Sequence, residues 1–539
     1  LQEPYYVCGG LQDNNHWCGP SNSLSNQGIR NADWVRFSGG DGFFAVPDLK
    51  SPWLVYSASQ GGNIVLTDLR TGDERSIHPY PKRVGSAGDA IADHKYRYNW
   101  NAPIALSPFD SRTVYFGGNV LFKTTNYGQS WDVISPDLST NDKTKQRSSG
   151  GPVVVDNTAA EFHSTLLSIA PSPKDSNLIW VGTDDGNVQL TRDGGKTWTN
   201  VIRNVPGLAP NAWIATVEAS PSDPAVAYFA ASHHQDNDYA PYFFKTGDYG
   251  RTWKKLASGL PAKGWAHVIR EDPRNRNLLF AGTENGLYAS WNGGDRWVSV
   301  RNNMPAVPVR DLQIHPRNND VIVATHGRGI YILDDATPLQ RLADATATDA
   351  FLFDPPMATR WITATRDGDL GSRVWVGQNP PTGAMLSYYL KAEAKAPLTI
   401  TISDATGRAV RQLRNLPRDS GVSRVTWDLR FEGAQPPVDP QAAPPAAGPA
   451  GGPAGAAGGG VGGGGGGGGF GFGAGAGPFV LPGEYTVTLR AGDKSLTTKI
   501  QVRTDPRAEV TLAELKAQQD VAMALRDLAI RANTMVEQA

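Results

Sequence analysis

The sequence predicts an all-β chain: a seven-bladed β-propeller, then a small β-sandwich, then a C-terminal helix. Three observations carry this. The pattern Ser/Thr-x-Asp/Asn-x-Gly-x-x-Trp recurs at 124–131 (TTNYGQSW), 191–198 (TRDGGKTW), 246–253 (TGDYGRTW) and 290–297 (SWNGGDRW). A second pattern, a strand end, a Pro/Asp/Asn turn and an apolar strand ending in small residues, spans 106–118, 171–183, 219–231, 271–283 and 314–329, with a looser copy at 45–59. The two patterns alternate at intervals of roughly 40 to 65 residues, the length of a four-stranded antiparallel blade.

The blades begin near residues 1, 42, 99, 160, 211, 263 and 306, so the propeller covers 1–340. Each is read as a leading strand, a second apolar strand, a short turn, a third strand and a fourth strand, with the Trp-containing turn before the fourth in the blades that begin near 99, 160, 211 and 263. The recurring turn has a local physical logic. Asp or Asn caps its own backbone, Gly permits positive φ, and Trp fills the apolar space alongside.

After 340 the repeat stops. Alternating strands at 384–390, 398–403, 423–431 and 484–502 predict an immunoglobulin-like sandwich over 341–510. It is interrupted at 436–479 by a Gly/Pro/Ala-rich insertion that cannot bury a core. Thr511 and Glu514 form a capping-box pattern opening a helix over 511–539, with Leu512, Leu515, Val521, Leu525, Leu528 and Ile530 at roughly helical spacing. A lone amphipathic helix needs a partner, either the sandwich or a further helix beyond the sequence given.

Net charge is −1, from 51 basic and 52 acidic residues, which gives no footing for nucleic acid. No apolar run approaches the roughly 20 residues that span a bilayer. Cys8 and Cys18 flank the first hairpin, where antiparallel pairing brings them within disulfide range; in a reducing compartment they would stay thiols. The chain opens mid-strand without Met, as a processed or truncated piece would.

The four turns resemble Asp boxes, or BNR repeats, of sialidase-type propellers. More widely, GGLQDN, GGDGF, RYNWNAPIALSP, GTDDGNVQLTRDGGKTWTNV, VIREDPRNRNLLFAGTENGLY and ATHGRGIYILDD resemble large bacterial BNR-repeat proteins, described as glycosyl hydrolase-like or sortilin-like. These are related in architecture to two-propeller xyloglucanases. The resemblance implies a secreted, periplasmic or cell-surface protein with an upstream propeller or partner chain. It implies fold more than chemistry, and no cofactor and no metal site is read from the residues.

Blade geometry then sorts the loops. Turns after strands one and three share one face; turns after strand two share the other. The boxes follow strand three, so Asp193 and Asp248 are read as structural. The ligand face collects 11–17, 58–63, 117–119, 183–187, 232–241, 283–286 and 325–329. Trp100, Trp213 and Trp265 each stand eight residues before the repeat Pro, near the mouth of the channel. They suit stacking on sugar rings, or packing between blades.

Glycoside hydrolysis needs two carboxyl groups across a cleft. The candidates are Asp13, Asp41, Asp184 and Glu284; Asp185 and Asp236 share the face, but Asp185 fits a tight turn. Asp13 lies near the position of one catalytic Asp in the xyloglucanases' second propeller, which the resemblance alone suggests. Sialidase chemistry is disfavoured because Arg97, Arg270, Arg310 and Arg328 occupy non-equivalent positions. His326 and Arg328 suit hydrogen bonding across the channel or ligand contact. His233, His234, Asp236 and Asp238 read as a solvated loop rather than a metal site. Three functions stay open: a glycoside hydrolase acting on polysaccharide, a binding scaffold for glycan or protein, and a subunit of a cell-surface assembly.

Overall fold

The computed structural model describes residues 3–81, 90–150, 153–365, 374–434 and 476–538. The expected Gly/Pro/Ala-rich insertion lies outside them over 436–475. The chain forms two compact units, one of Leu1–Ala336 with Thr365–Asn379, the other of Thr337–Ala364 with Pro380–Ala539.

The first unit is a β-propeller body of small antiparallel sheets following one another along the chain. Their leading strands are Tyr6–Gly10, Ala45–Pro47, Ile104–Leu106, Leu166–Pro171, Trp213–Ala219, Ala266–Glu271 and Val309–Ile314. Every strand pairs with its neighbour in sequence, and the leading strands of consecutive sheets pack beside one another. The five middle blade sheets have four strands, as expected, and a separate two-stranded ribbon, Ser149–Gly150 with Val155–Asp156, lies between the third and the fourth. The first and last have three among the described residues, where four were expected. Residues ahead of the first strand meet the last sheet: Tyr5 stacks on His315 with ring centroids 4.1 Å apart, and its hydroxyl donates to Asp320 at 2.8 Å.

Second strands read as unbroken apolar runs because both of their faces are covered. In Ile179–Thr183, Ile179 and Val181 pack with Tyr115 and Leu121 of the third sheet. Trp180 points the other way, into a core with Val217, Phe229 and Trp253 of the fifth. The period of two therefore divides residues between neighbouring sheets rather than between core and water. Trp180 is fully buried, so truncating it to Ala costs about 3–5 kcal/mol. Small residues end these strands for a steric reason: a Cβ on Gly182 would lie 2.5 Å from Ile214.

The four Trp-containing turns are built alike. Thr191 Oγ1 donates to Asp193 Oδ1 (2.8 Å), Asp193 accepts both the amide (2.9 Å) and hydroxyl (2.6 Å) of Thr197, and Gly195 N donates back to Thr191 Oγ1 (2.9 Å). Asn126, Asp248 and Asn292 repeat the arrangement with Thr124, Thr246 and Ser290. These bonds hold the Asp193 carboxyl down at about 2, the hydrogen bonds from Thr197 contributing most. Trp131, Trp198 and Trp297 donate their indole N–H to main-chain carbonyls just past the preceding sheet, Ile77, Ile134 and Leu256.

In the second unit a three-stranded sheet (Ala350–Leu352, Ala384–Leu390, Gly421–Trp427) shares one core with a five-stranded sheet. The latter runs in the order Ala358–Arg360, Lys494–Thr504, Gly483–Ala491, Thr399–Ser403, Ala409–Leu413. Leu386, Tyr388 and Trp427 from one side meet Ile400, Val487, Leu489 and Ile500 from the other. The helix Leu512–Gln538 starts in the expected box: Glu514 accepts from Thr511 N at 2.8 Å, and Glu514 N donates to Thr511 Oγ1 at 3.2 Å. Its buried face differs from the one expected. Leu515 is buried, Gln519 bonds the Phe479 carbonyl and Met523 packs on the core, while Val521, Leu525 and Leu528 are exposed.

Candidate functional site

A repeated irregularity shapes the leading strands. In the fourth to seventh sheets the register slips between Leu166/Ser168, Ile214/Thr216, Ala266/Val268 and Val309/Asp311. The extra residues are Leu167, Ala215, His267 and Arg310, each six before the repeat Pro. A bulge re-aims its side chain and leaves a local kink. Two of the four bulge residues are polar, and they meet.

Arg310 Nη1 lies 3.3 Å from His267 Nδ1, and His267 Nε2 lies 2.8 Å from Glu284 Oε2. A guanidinium can only donate, so Nδ1 must accept. The ring proton therefore sits on Nε2 and is donated to Glu284. Burial, first of all, holds His267 below the ordinary imidazole range, and it is 6% exposed. The hydrogen bond from His267 is the main cause that keeps Glu284 below the usual carboxylate range.

Aromatic rings continue from this triad. Trp265 lies 6.1 Å from the His267 ring, His234 stacks on Trp265 at 4.8 Å, and Trp213 meets His234 edge-on at 6.2 Å. Trp213 and Trp265 are both half-buried. Trp213 also lines a cavity of about 300 Å³ with Lys145, His163, Asn211, His233, Gln235 and Asp236. That is the lower end of the small-ligand range.

Asp184 neighbours one of the cavity's lining residues, His163. It is fully buried and accepts from Thr165 N (2.9 Å), Thr165 Oγ1 (2.5 Å) and Asn99 Nδ2 (3.0 Å). His163 Nδ1 stands 3.8 Å away. Desolvation pushes the Asp184 carboxyl up to about 7 against the pull of the Thr165 bonds. Asp185 is buried as well, and takes the amide and hydroxyl of Thr140 and the hydroxyl of Thr183.

Asp13 and Asp41 come together in the first two sheets. Asp41 Oδ1 accepts Asp13 N at 2.9 Å, Asp41 Oδ2 accepts the Trp100 indole at 3.0 Å, and Asp41 N donates to Gln60. The Asp13 side chain is exposed at a positive φ of 61°. Trp100 is thus anchored by its N–H and packs edge-on against Phe43.

The remaining candidates divide by engagement. Arg97 is buried on Asp137 and Ser164 O, and Arg270 is held by Glu218 and Asp311. His326 and Arg328 are exposed on a turn closed by Thr325 Oγ1 and Gly329 O. Both ring nitrogens of His233 are occupied, by Asp236 and Ala209 O, and Asp238 takes the Tyr242 hydroxyl. Among the described residues no group of three His, Cys, Asp or Glu is placed to hold a metal ion. Cys8 and Cys18 face each other in register and are disulfide-bonded. Sequence reasoning missed His163, Lys145, Asn211 and the pinned role of His267. The first three come from loops remote in sequence, while the bulge positions were available from the repeat itself.

No protein-family model matches the chain. A curated relative, a xyloglucanase of Hypocrea jecorina (strain QM6a), is 30% identical over 139 residues, 23% of this chain and 16% of that protein. The chain therefore aligns with well under two thirds of that relative. Similar solved structures include an ancestral GH74 enzyme at 14% identity, covering 62% of this chain and 39% of that one with a TM-score of 0.30. YCF48 bound to D1 peptide is 12% identical over 62% of this chain and 98% of its own, with a TM-score of 0.38. The GH74 enzyme of Niastella koreensis is 12% identical over 77% and 66%, with a TM-score of 0.25. Among the described residues no helix is long and apolar enough to cross a membrane.

Proposed function

We propose that the first unit is a seven-bladed Asp-box propeller of a secreted bacterial protein, and that it binds polysaccharide on the face opposite the boxes. The observation that carries this reading is the half-buried Trp213 lining a polar cavity with Lys145, Asn211, Gln235 and Asp236. An indole face stacks on the apolar face of a pyranose while amides and charged tips bind its hydroxyls. The xyloglucanase likeness supports a saccharide over a peptide ligand. The disulfide supports an oxidising compartment, and Asn126, Asp193, Asp248 and Asn292 serve their turns.

Binding is favoured over hydrolysis because the candidate carboxylates are spent. Asp41 holds two loops, Asp184 is sealed, and Glu284 is bonded to His267. Hydrolysis stands as the second reading because Asp13 is exposed on the turn of the first hairpin; its partner carboxylate would come from another propeller or chain. The test is calorimetric titration of neutral and acidic plant and microbial polysaccharide fragments, with a hydrolysis assay in parallel. Saturable binding that Trp213→Ala removes, without reducing-sugar release, is expected. Release that Asp13→Asn abolishes would establish hydrolysis instead.

A further inference from the structure

The face carrying the bulges has an uneven charge balance. Arg97 and Arg270 each have carboxylate partners within 3.2 Å. Arg310 is exposed, and among the described residues no carboxylate reaches it within 4 Å; its bonded neighbour is a neutral imidazole. Exposed Arg301 and Lys263 stand beside the same turn. A Cβ on Gly286 would meet the Arg301 side chain at 3.5 Å, and Asn285 Nδ2 bonds Lys263 O at 2.6 Å. The turn's own carboxylate, Glu284, is already committed to His267.

The Arg310 guanidinium is also oriented. Its Nη1 is tethered to His267 Nδ1, and Glu284 fixes the His267 tautomer that makes this bond possible. One N–H used at Nη1 leaves the Nε/Nη2 edge free, and that planar edge matches both oxygens of a carboxylate. From Arg310 the rings of His267, Trp265 and His234 lead without a gap to Trp213 at the cavity.

We infer that the ligand is an acidic polysaccharide: Arg310 is a specificity residue that takes the carboxylate of a uronic acid while the chain lies along the Trp265–Trp213 rim. This rests on the saccharide-binding reading above and narrows its ligand class. Surface lysines would attract any polyanion; a guanidinium edge can bridge a carboxylate or a sulfate ester, but a tethered one takes its anion at a fixed place, which a carboxylate borne on the ring carbon and a sulfate held out on an ester oxygen do not reach alike.

The experiment uses the full chain and matched oligosaccharides: a uronate oligomer, its carboxyl-reduced neutral counterpart, and a sulfated neutral oligomer of equal charge. Wild type is expected to bind the uronate about tenfold more tightly than the neutral oligomer and more tightly than the sulfated one. Arg310→Gln is expected to remove the preference and keep the neutral affinity, while Arg310→Lys, with charge but no fork, falls between. Trp213→Ala is expected to weaken both ligands. Equal uronate and neutral affinities that Arg310→Gln leaves unchanged would overturn the carboxylate assignment and leave saccharide binding intact. Sulfated and uronate oligomers binding alike would also overturn it, in favour of simple charge attraction. Binding of none of the three by wild type would overturn the saccharide reading itself. A melting curve for each variant keeps a folding defect separate from these outcomes.

Discussion

Asp41 and Trp100 are joined by a 3.0 Å hydrogen bond from the indole N–H to one carboxylate oxygen, while the other oxygen caps Asp13 N at 2.9 Å. One side chain thus ties three segments from the first three sheets. Asp41→Ala is expected to lower stability by about 1–3 kcal/mol, because two donors lose their acceptor at once. Asp13→Asn, which keeps a residue tolerant of the left-handed backbone, is expected to stay within about 0.5 kcal/mol. Urea denaturation of the two variants checks the contrast, and equal losses would refute it.

Asp184 makes stability depend on pH in a definite direction. Its carboxyl is raised from 3.8 to about 7, chiefly by desolvation. A raised folded value means that its contribution is complete below the unfolded value and declines as pH rises from about 4 toward 7. Asp184→Asn is neutral throughout, so its stability relative to wild type should rise across that window, whatever its starting offset. Paired melting curves at pH 4, 5, 6 and 7 read the slope; a flat difference would reject a shifted Asp184.

Trp253 and Trp297 occupy equivalent places in the repeated turns but differ in one bond. Trp297 donates to Leu256 O at 3.2 Å, while the buried Trp253 indole N–H has no partner among the described residues. Replacement by Phe removes similar volume from both sites. Trp297→Phe is therefore expected to cost about 1 kcal/mol more than Trp253→Phe. The comparison fails if Trp253→Phe is the more damaging.

The Cys8–Cys18 bridge closes a short hairpin whose strands are already paired. Loop-closure arithmetic puts its contribution at about 2–3 kcal/mol. The double variant Cys8→Ser/Cys18→Ser should melt lower by a corresponding amount, and added reductant should lower wild type toward it. A wild type insensitive to reductant, with the double variant equally stable, would show that strand pairing alone holds the hairpin.

Much of the first unit was legible from residues because its signals are short-range. Thr191, Asp193, Gly195 and Thr197 satisfy one another within seven residues, so the pattern and the geometry are the same fact. Strands expected at 384–390 and 398–403 lie at Ala384–Leu390 and Thr399–Ser403. The three-residue strands Ala350–Leu352 and Ala358–Arg360 gave no warning, since so few residues carry no period. The terminal helix was visible, but its docked face was not: Leu515 and Met523 compete with a more apolar stripe, and the shape of the sandwich core chooses between them.

By itself the sequence determined the order of the sheets, the Trp-containing turns between third and fourth strands, and the placing of Cys8 and Cys18 on facing arms of the first hairpin. These follow from contacts between residues close along the chain. Only the tertiary structure decided which carboxylates remain free and which cations do. Asn99 reaches Asp184 across 85 positions and Arg310 reaches His267 across 43, distances over which no spacing rule operates. Burial and a donor from another sheet close Asp184 and commit Glu284, and a bulge in each of two neighbouring strands brings Arg310 to the rim beside His267.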